Sequence, residues 1–252
     1  MITCVAVHAD PARRRATVHL QSGQVAPRII SVNGDGARVA LVSTSATLLA
    51  GDDVQIGVSV GPGAWLELVD VAAVVAYHAR GGRAAWSVDV RVAERGRLLW
   101  HGQPMVVSEG ANVVRRTAAD VAAGGVLLLR ETYVLGRSGE RGGSLWCSTR
   151  MSYDAQPLLA EDLDLRRATG PEEPGEGVGL LGSHRVVDTL TLAGVRAEPH
   201  GPVTGAAGAA TYYRLAGTGS VARHLGAAAH LSPVAEVWRL WAAQVASHTQ
   251  IG

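Results

Sequence analysis

Val58-Ser-Val-Gly-Pro-Gly-Ala-Trp-Leu66, Val90-Arg-Val-Ala-Glu-Arg-Gly-Arg-Leu-Leu99 and Ala119-Asp-Val-Ala-Ala-Gly-Gly-Val-Leu-Leu128 are three versions of one unit: strand, tight turn, strand. Aligned on the turn, Gly63, Gly96 and Gly125 lie 33 and 29 residues apart. Tyr153-Asp-Ala-Gln-Pro-Leu-Leu159 is a degenerate fourth copy, with Pro157 another 32 residues on, and Asn33-Gly-Asp-Gly-Ala-Arg-Val39 is an earlier one. Repetition at this period implies β units stacked beside one another, each covering the apolar face of the next. The expected fold is mainly β: a stacked, β-helix-like body of layered sheets.

The flanking residues agree. Val54, Ile56, Val58 and Val60 alternate with Gln55 and Ser59, and Trp86, Val88, Val90 and Val92 alternate with Ser87, Asp89 and Arg91. That is the period of half-buried strands. Val126 to Leu135 is nearly continuous in apolar residues and reads as a central strand. Residues 168–182, with Pro171, Pro174 and five glycines, read as a surface loop, and Arg185 to Leu192 as one more strand. Ser232 and Pro233 open a helix carrying Val234, Val237, Trp238, Trp241 and Val245 at helical spacing. A shorter helix is expected over Ser220 to Ala229. The chain thus reads as a single domain, 1–252, with a β body over about 1–200 and a helical C-terminal part over about 218–248.

Composition excludes several functions. With 47% hydrophobic and 18% charged residues the chain has a core to bury. A net charge of +1 provides no field for nucleic acid or an anionic membrane. All 23 basic residues are Arg, which removes Schiff-base and P-loop lysine chemistry. Cys4 and Cys147 make neither a disulfide framework nor a zinc knuckle. No apolar run reaches membrane-spanning length, and the expected compartment is the cytoplasm. The nine histidines form no metal-spaced pair, and no Gly-x-Ser-x-Gly elbow occurs. Gly217-Thr-Gly219-Ser-Val-Ala222 mimics a dinucleotide fingerprint but lacks the following strand and acidic residue. No catalytic constellation and no tightly bound cofactor are expected.

Three carboxylates stand out. Glu131 shares a strand face with Leu127, Leu129, Tyr133 and Leu135; Glu161 with Leu159, Leu163 and Leu165; Glu67 with Trp65, Val69 and Val71. A carboxylate on an apolar face must be paired, hydrogen-bonded or wet. Arg115, Arg116, Arg130 and Arg150 are candidate internal partners. The other outcome is a hydrated interior path for a cation, because oxygen ligands release divalent ions readily. Trp238 and Trp241 either pack against the β body or anchor a partner protein.

In order along the chain, Leu48-Leu-Ala-Gly-Asp-Asp-Val-Gln-Ile56, Val58-Ser-Val-Gly61-Pro62-Gly63-Ala-Trp-Leu-Glu-Leu68, Leu98-Leu-Trp-His-Gly-Gln-Pro104 and the Arg115-Arg116 pair are followed by Glu131 with Gly136-Arg137 and Gly139-Glu140, then Leu158-Leu-Ala-Glu-Asp-Leu163. This ordered set resembles the urease accessory proteins called UreD or UreH, most closely over Leu48 to Leu165 and more thinly at Val221-Ala-Arg-His-Leu-Gly226 and the Trp238 helix. Where the family carries a Thr-Thr-Gln-Ala-x-Thr-Lys-φ-Tyr stretch (φ apolar), this chain has Leu68-Val-Asp-Val-Ala-Ala-Val-Val-Ala-Tyr77, and the family's Gly-Gly pair before Gly-Asp is also missing.

The resemblance implies a non-enzymatic scaffold with a β-helical body. It implies partners as well: a UreF-like helical accessory protein, a UreG-like GTPase and apo-urease. It further implies transient nickel moving through an internal passage, for which Glu67, Glu131 and Glu161 are the candidate residues. Two other functions remain open to the sequence. One is a β-solenoid enzyme using Glu131 and Glu161 on a polysaccharide; the other is an adaptor for an unrelated assembly.

Overall fold

The computed structural model describes residues 1–252 apart from 11, 13–14, 44–46, 166–180, 198–203, 206–207 and 248–252. Most of the expected loop at 168–182 falls outside the described residues.

The chain starts with two antiparallel pairs, β1 (Thr3–His8) with β2 (Thr17–Gln21), and β3 (Val25–Asn33) with β4 (Gly36–Ser43). Coiling then begins. Short β5 (Thr47–Leu48) leads to β6 (Asp53–Val60), β7 (Trp65–Asp70) and β8 (Val74–Ala76). The path repeats in β9 (Ala84–Val92), β10 (Arg97–His101) and β11 (Met105–Val107), then in β12 (Asn112–Val121) and β13 (Val126–Leu135). β14 (Ser144–Tyr153) and β15 (Gln156–Asp164) end the stack. Equivalent strands pair in parallel, so β1, β6, β9, β12 and β14 share one sheet while β4, β7, β10 and β13 share the facing one. β5, β8 and β11 form a third, shorter ladder that joins β13.

The register stacks like on like. Val58 pairs with Val90 and Val90 with Ala119; Val60 pairs with Val92 and Val92 with Val121; Leu66 pairs with Leu98 and Leu98 with Leu127. All nine are buried between the sheets. The turns stack too. Gly63 has φ +67, a left-handed conformation cheap only for glycine, and a Cβ on Gly125 would lie 2.8 Å from the Ala93 carbonyl oxygen.

The outer repeat copies behave differently from the inner three. In the fourth, Asp154 (φ 51) and Ala155 (φ 57) are both left-handed, as a type I′ turn requires. β15 therefore folds back antiparallel on β14 instead of crossing to the other sheet. In the earliest copy Gly34 (φ 52) supplies a left-handed first turn residue, and β3–β4 is likewise a hairpin. The hairpins end the coiling at both ends of the stack.

After the coils, β16 (Val186–Ala193) lies antiparallel to β13, confirming the expected strand and making β13 central. A two-stranded pair, β17 (Thr204–Gly205) with β18 (Gly208–Ala209), precedes β19 (Thr211–Arg214) and β20 (Gly219–Gly226), which extend the second sheet beyond β16. The helix expected over Ser220 to Ala229 is therefore a strand. β20 is hydrogen-bonded on both edges, to β16 and β19, and long-range pairing outweighs the helix propensity of its alanines. The helical part contracts to a 3₁₀ turn at Ala229–Leu231 and α1 (Val234–Ser247), whose first N–H is capped by Ser232 Oγ at 3.2 Å. Val234, Val237, Trp241 and Val245 of α1 pack on Val126, Leu128, Leu190, Leu192 and Ala222, the outer face of the second sheet.

Candidate functional site

β13 is buried on both faces. Leu127, Leu129 and Tyr133 face the first sheet, whereas Val126 and Leu128 lie under α1. Polar residues within this strand accordingly build two different buried networks.

The inner network joins the sheets. Glu131 Oε1 accepts four hydrogen bonds: from Arg115 Nη2 at 2.8 Å and Nε at 3.3 Å, from Thr117 Oγ1 at 2.9 Å and from Tyr133 OH at 3.3 Å. Arg115 and Thr117 come from β12, so the contact spans the core, and both members of the ion pair are only 12% exposed. Arg115 also lies 5.5 Å from the Trp86 ring centroid. A chamber of about 40 Å³, room for water, is lined by Asp70, Trp86, Trp100, Arg115, Glu131 and Tyr133 among others. Trp86 Nε1 is buried there without a hydrogen-bond partner.

Asp70 is the residue that sequence reading missed. Its carboxylate accepts from Trp100 Nε1 and from the Gln103 backbone N–H, each at 3.1 Å. Burial pushes its pKa above the ordinary value, against those two donors and the charge of Arg115. The signal was available in Leu66, Leu68 and Asp70, the alternation opposite to the one chosen. Leu66 and Leu68 are fully buried, whereas Glu67 lies on the outer face. Glu67 is therefore corrected: 39% exposed, it pairs with Arg38 at 3.2 Å and takes no part in the interior. Asp70 also sits in the stretch where this chain departs from the motif Thr-Thr-Gln-Ala-x-Thr-Lys-φ-Tyr.

Glu161 belongs to the same interior. On β15 of the first sheet, it receives a two-pronged contact from Arg223 of β20, Nη1 to Oε1 at 2.7 Å and Nη2 to Oε2 at 2.6 Å. Arg223 Nε also donates to Thr189 Oγ1 at 3.0 Å. In the second sheet Glu131 pairs in register with Thr189, and Thr189 with Arg223; in the first, Trp86 pairs with Arg115 and Arg115 with Cys147. Asp70, Arg115, Glu131, Thr189, Arg223 and Glu161 thus form a polar row along the stack. Cys147, close to both glutamates, has its thiol pushed up to about 12 by burial and their charge. At neutral pH it is a protonated thiol, so the row offers oxygen donors without a thiolate. Among the described residues no cluster of three or more His, Cys, Asp or Glu is arranged to hold a metal ion.

The outer network fixes α1. Arg130 makes a two-pronged pair with fully buried Asp188, at 3.1 and 2.7 Å, and Thr132 donates to the same carboxylate at 2.8 Å. Arg130 Nη1 lies 2.9 Å from His101 Nε2. Arginine only donates, so Nε2 is the acceptor and the ring proton sits on Nδ1. Burial and Arg130 lower the pKa of His101. Trp238 meets the His101 ring edge-on at 4.8 Å and is half-buried, whereas Trp241 is completely enclosed and packs the helix to the sheet.

The remaining motif residues scatter. Gly61 and Pro62 line a shallow corner groove of about 530 Å³ with Val60, Val92, Val121 and Ala155, and Gly63 makes the adjoining turn. Adjacent strand residues face opposite ways, so Arg116 leaves Arg115 and stacks outside, 5.5 Å from the Trp146 ring. Gly136 (φ +83) opens a loop in which Arg137 Nε donates to Glu140 at 2.7 Å and the guanidinium covers Tyr77 at 5.4 Å.

The motif order agrees with comparisons of the sequence with known proteins. The profile of the UreD urease accessory protein matches residues 5–251. The chain is 45% identical to "Urease accessory protein UreD 1" of Streptomyces griseus over 94% of this chain and 91% of that one. It is 38% identical to "Urease accessory protein UreD" of Frankia casuarinae (74% and 59%), and 31% identical to the protein of that name from Rhodopseudomonas palustris (76% and 72%). The chain belongs to the UreD family of urease accessory proteins.

Proposed function

We propose that this protein is a scaffold for nickel insertion: it holds apo-urease, a UreF-like helical protein and a UreG-like GTPase together in the cytoplasm and lets the ion pass through its own interior. The observation that carries the ion route is the row of inward oxygen side chains, Asp70, Glu131 and Glu161, running along the stack between two sheets whose inner faces are mostly apolar. Burying charge there costs stability relative to an apolar core, so its placement favours a use. Oxygen donors suit a cargo that must leave again. With no lysine in the sequence, a P-loop GTPase has to be a separate chain.

The polysaccharide-enzyme alternative needs one free acid and one free base in an open cleft. Glu131 and Glu161 are instead each bonded to an arginine, and the corner groove carries no Trp or Tyr.

Asp70→Asn tests the route. The two donors bind different oxygens, and asparagine's single carbonyl oxygen can serve only one of them, so the variant should lose about 1–3 kcal/mol and still fold by circular dichroism, while urease purified from the variant strain should lose most of its nickel. Full nickel content with Asp70→Asn removes the interior route; full content in a strain lacking the chain removes the scaffold role.

A further inference from the structure

Both glutamates of the row are occupied by guanidinium groups. Arg115 holds Glu131 at 2.8 Å, and Arg223 grips both oxygens of Glu161 at 2.6 and 2.7 Å. Such forks are the strongest side-chain partners a carboxylate finds in a protein. They stand where an oxygen-seeking divalent cation would sit, and a fixed positive charge in a narrow, poorly screened space repels such a cation. As described, the row is therefore closed to cations.

Each arginine also has a second support. The Arg115 guanidinium lies over the Trp86 ring at 5.5 Å, and Arg223 Nε is held by Thr189 Oγ1 at 3.0 Å. Displaced from its carboxylate, Arg115 keeps the Trp86 face and Arg223 the Thr189 hydroxyl, so displacement costs hydrogen bonds and the closed arrangement is the resting one. The chamber beside Arg115, lined in part by Trp86, has room for water.

We propose that Arg115 and Arg223 are removable plugs: each neutralises an interior glutamate while no cargo is present and yields it to a divalent cation when displaced. The exchange swaps one counter-charge for another, so the carboxylate is never left bare in the core. It rests on the row being the ion route.

The test is made on the purified full-length chain with Mn²⁺, which favours oxygen ligands over the surface histidines, followed by equilibrium dialysis and by the loss of the free-ion electron paramagnetic resonance signal. The wild type should show background binding only. Arg115→Gln should gain one Mn²⁺ site per chain, at least tenfold tighter than background, and Arg115→Gln/Glu131→Gln should lose it again. Arg223→Gln and Arg223→Gln/Glu161→Gln should repeat the pattern. Because Glu161 is about one-quarter exposed, that pair carries the test if Arg115→Gln fails to fold. No tighter binding in folded Arg115→Gln or Arg223→Gln, or a gain that survives removal of the glutamate, overturns the plugs. The two proposals fail separately. Nickel-poor urease with Asp70→Asn alongside no Mn²⁺ gain would keep the route without plugs; a Mn²⁺ gain alongside normal urease nickel would do the reverse.

Discussion

Replacing Glu131 by Gln removes one half of an ion pair whose members are both 12% exposed, and leaves Arg115 charged between the two sheets. Breaking a buried pair in this way costs about 3–5 kcal/mol. The residual exposure and the neighbouring chamber place this case near the lower end, about 3 kcal/mol. For a chain of this size a loss of 1 kcal/mol lowers Tm by roughly 2–4 °C, so Glu131→Gln should melt about 6–12 °C below wild type. Arg115→Gln should cost a similar amount, because Glu131 is then uncompensated and keeps only the Thr117 and Tyr133 hydroxyls. The double variant has no stranded charge and should lose no more than either single variant, about 3 kcal/mol where independent sites would lose about 6, which corresponds to a coupling energy of about 3 kcal/mol. Thermal denaturation of the four proteins, followed by far-ultraviolet circular dichroism, measures the cycle. If the single losses fall below about 1 kcal/mol and simply add, the two charges are independently hydrated and the inner network does not tie the sheets together. The cycle also explains why Glu131→Gln alone is a poor assay of ion passage, since it would impair delivery by loosening the fold.

Other outcomes follow from single contacts. Trp241→Ala empties a fully enclosed site under α1 and should cost about 3–5 kcal/mol, whereas half-buried Trp238→Ala should cost about half that and leave the β body's circular dichroism unchanged. Ala155→Gly relieves a left-handed alanine in the β14–β15 hairpin and should raise stability by about 0.5–1 kcal/mol, read as a higher Tm. The folded protein lowers the pKa of His101, so the unfolded chain takes up a proton first as pH falls below about 6.5. Stability should drop through that window and then level off, and His101→Gln should flatten the drop in denaturant midpoint between pH 7 and 5. Glu140 is held down to about 2 by Arg137, so its stabilisation of the Gly136–Gly143 loop should be present above about pH 4.5 and vanish by pH 2; wild type and Glu140→Gln should converge there in loop proteolysis.

Sequence legibility divided along physical lines. The coils were legible because a solenoid writes its period into the chain. Val58, Val90 and Ala119 occupy one stacked row and recur at the spacing of the turns. The ends were not legible as ends, because turn composition does not separate them: Gly34-Asp-Gly36 keeps the glycines of the inner copies and the Asp154-Ala155 turn has none, yet both close hairpins. β20 was mistaken for helix because what decides it is pairing with β16 and β19, and such long-range pairing leaves no local period in Gly-Ser-Val-Ala-Arg-His-Leu-Gly.

The interior charges show the same division. Glu131 and Glu161 were found because an acid on an apolar face stands out whatever surrounds it. Asp70 was missed because β7 has two plausible faces, Trp65-Glu67-Val69 and Leu66-Leu68-Asp70, and periodicity alone does not say which one is buried. The neighbours decide it: Leu66 pairs with Leu98 and Leu68 with Trp100, both inward, so residue 70 must follow them in. Of the arginine partners, Arg115 was among the four candidates and Arg223 was not, for another reason. Arg223 lies 62 residues from Glu161 in sequence, and Arg115 meets Glu131 only because β12 and β13 belong to facing sheets of one coil. In a stacked β body, then, sequence period reports what repeats from coil to coil, while the charges that distinguish one coil from the next are placed by contacts across the stack. For that reason Glu131 and Glu161 could be listed in advance, with Arg115 as one of several candidate partners, while which guanidinium closes off which acid could be read only from the fold.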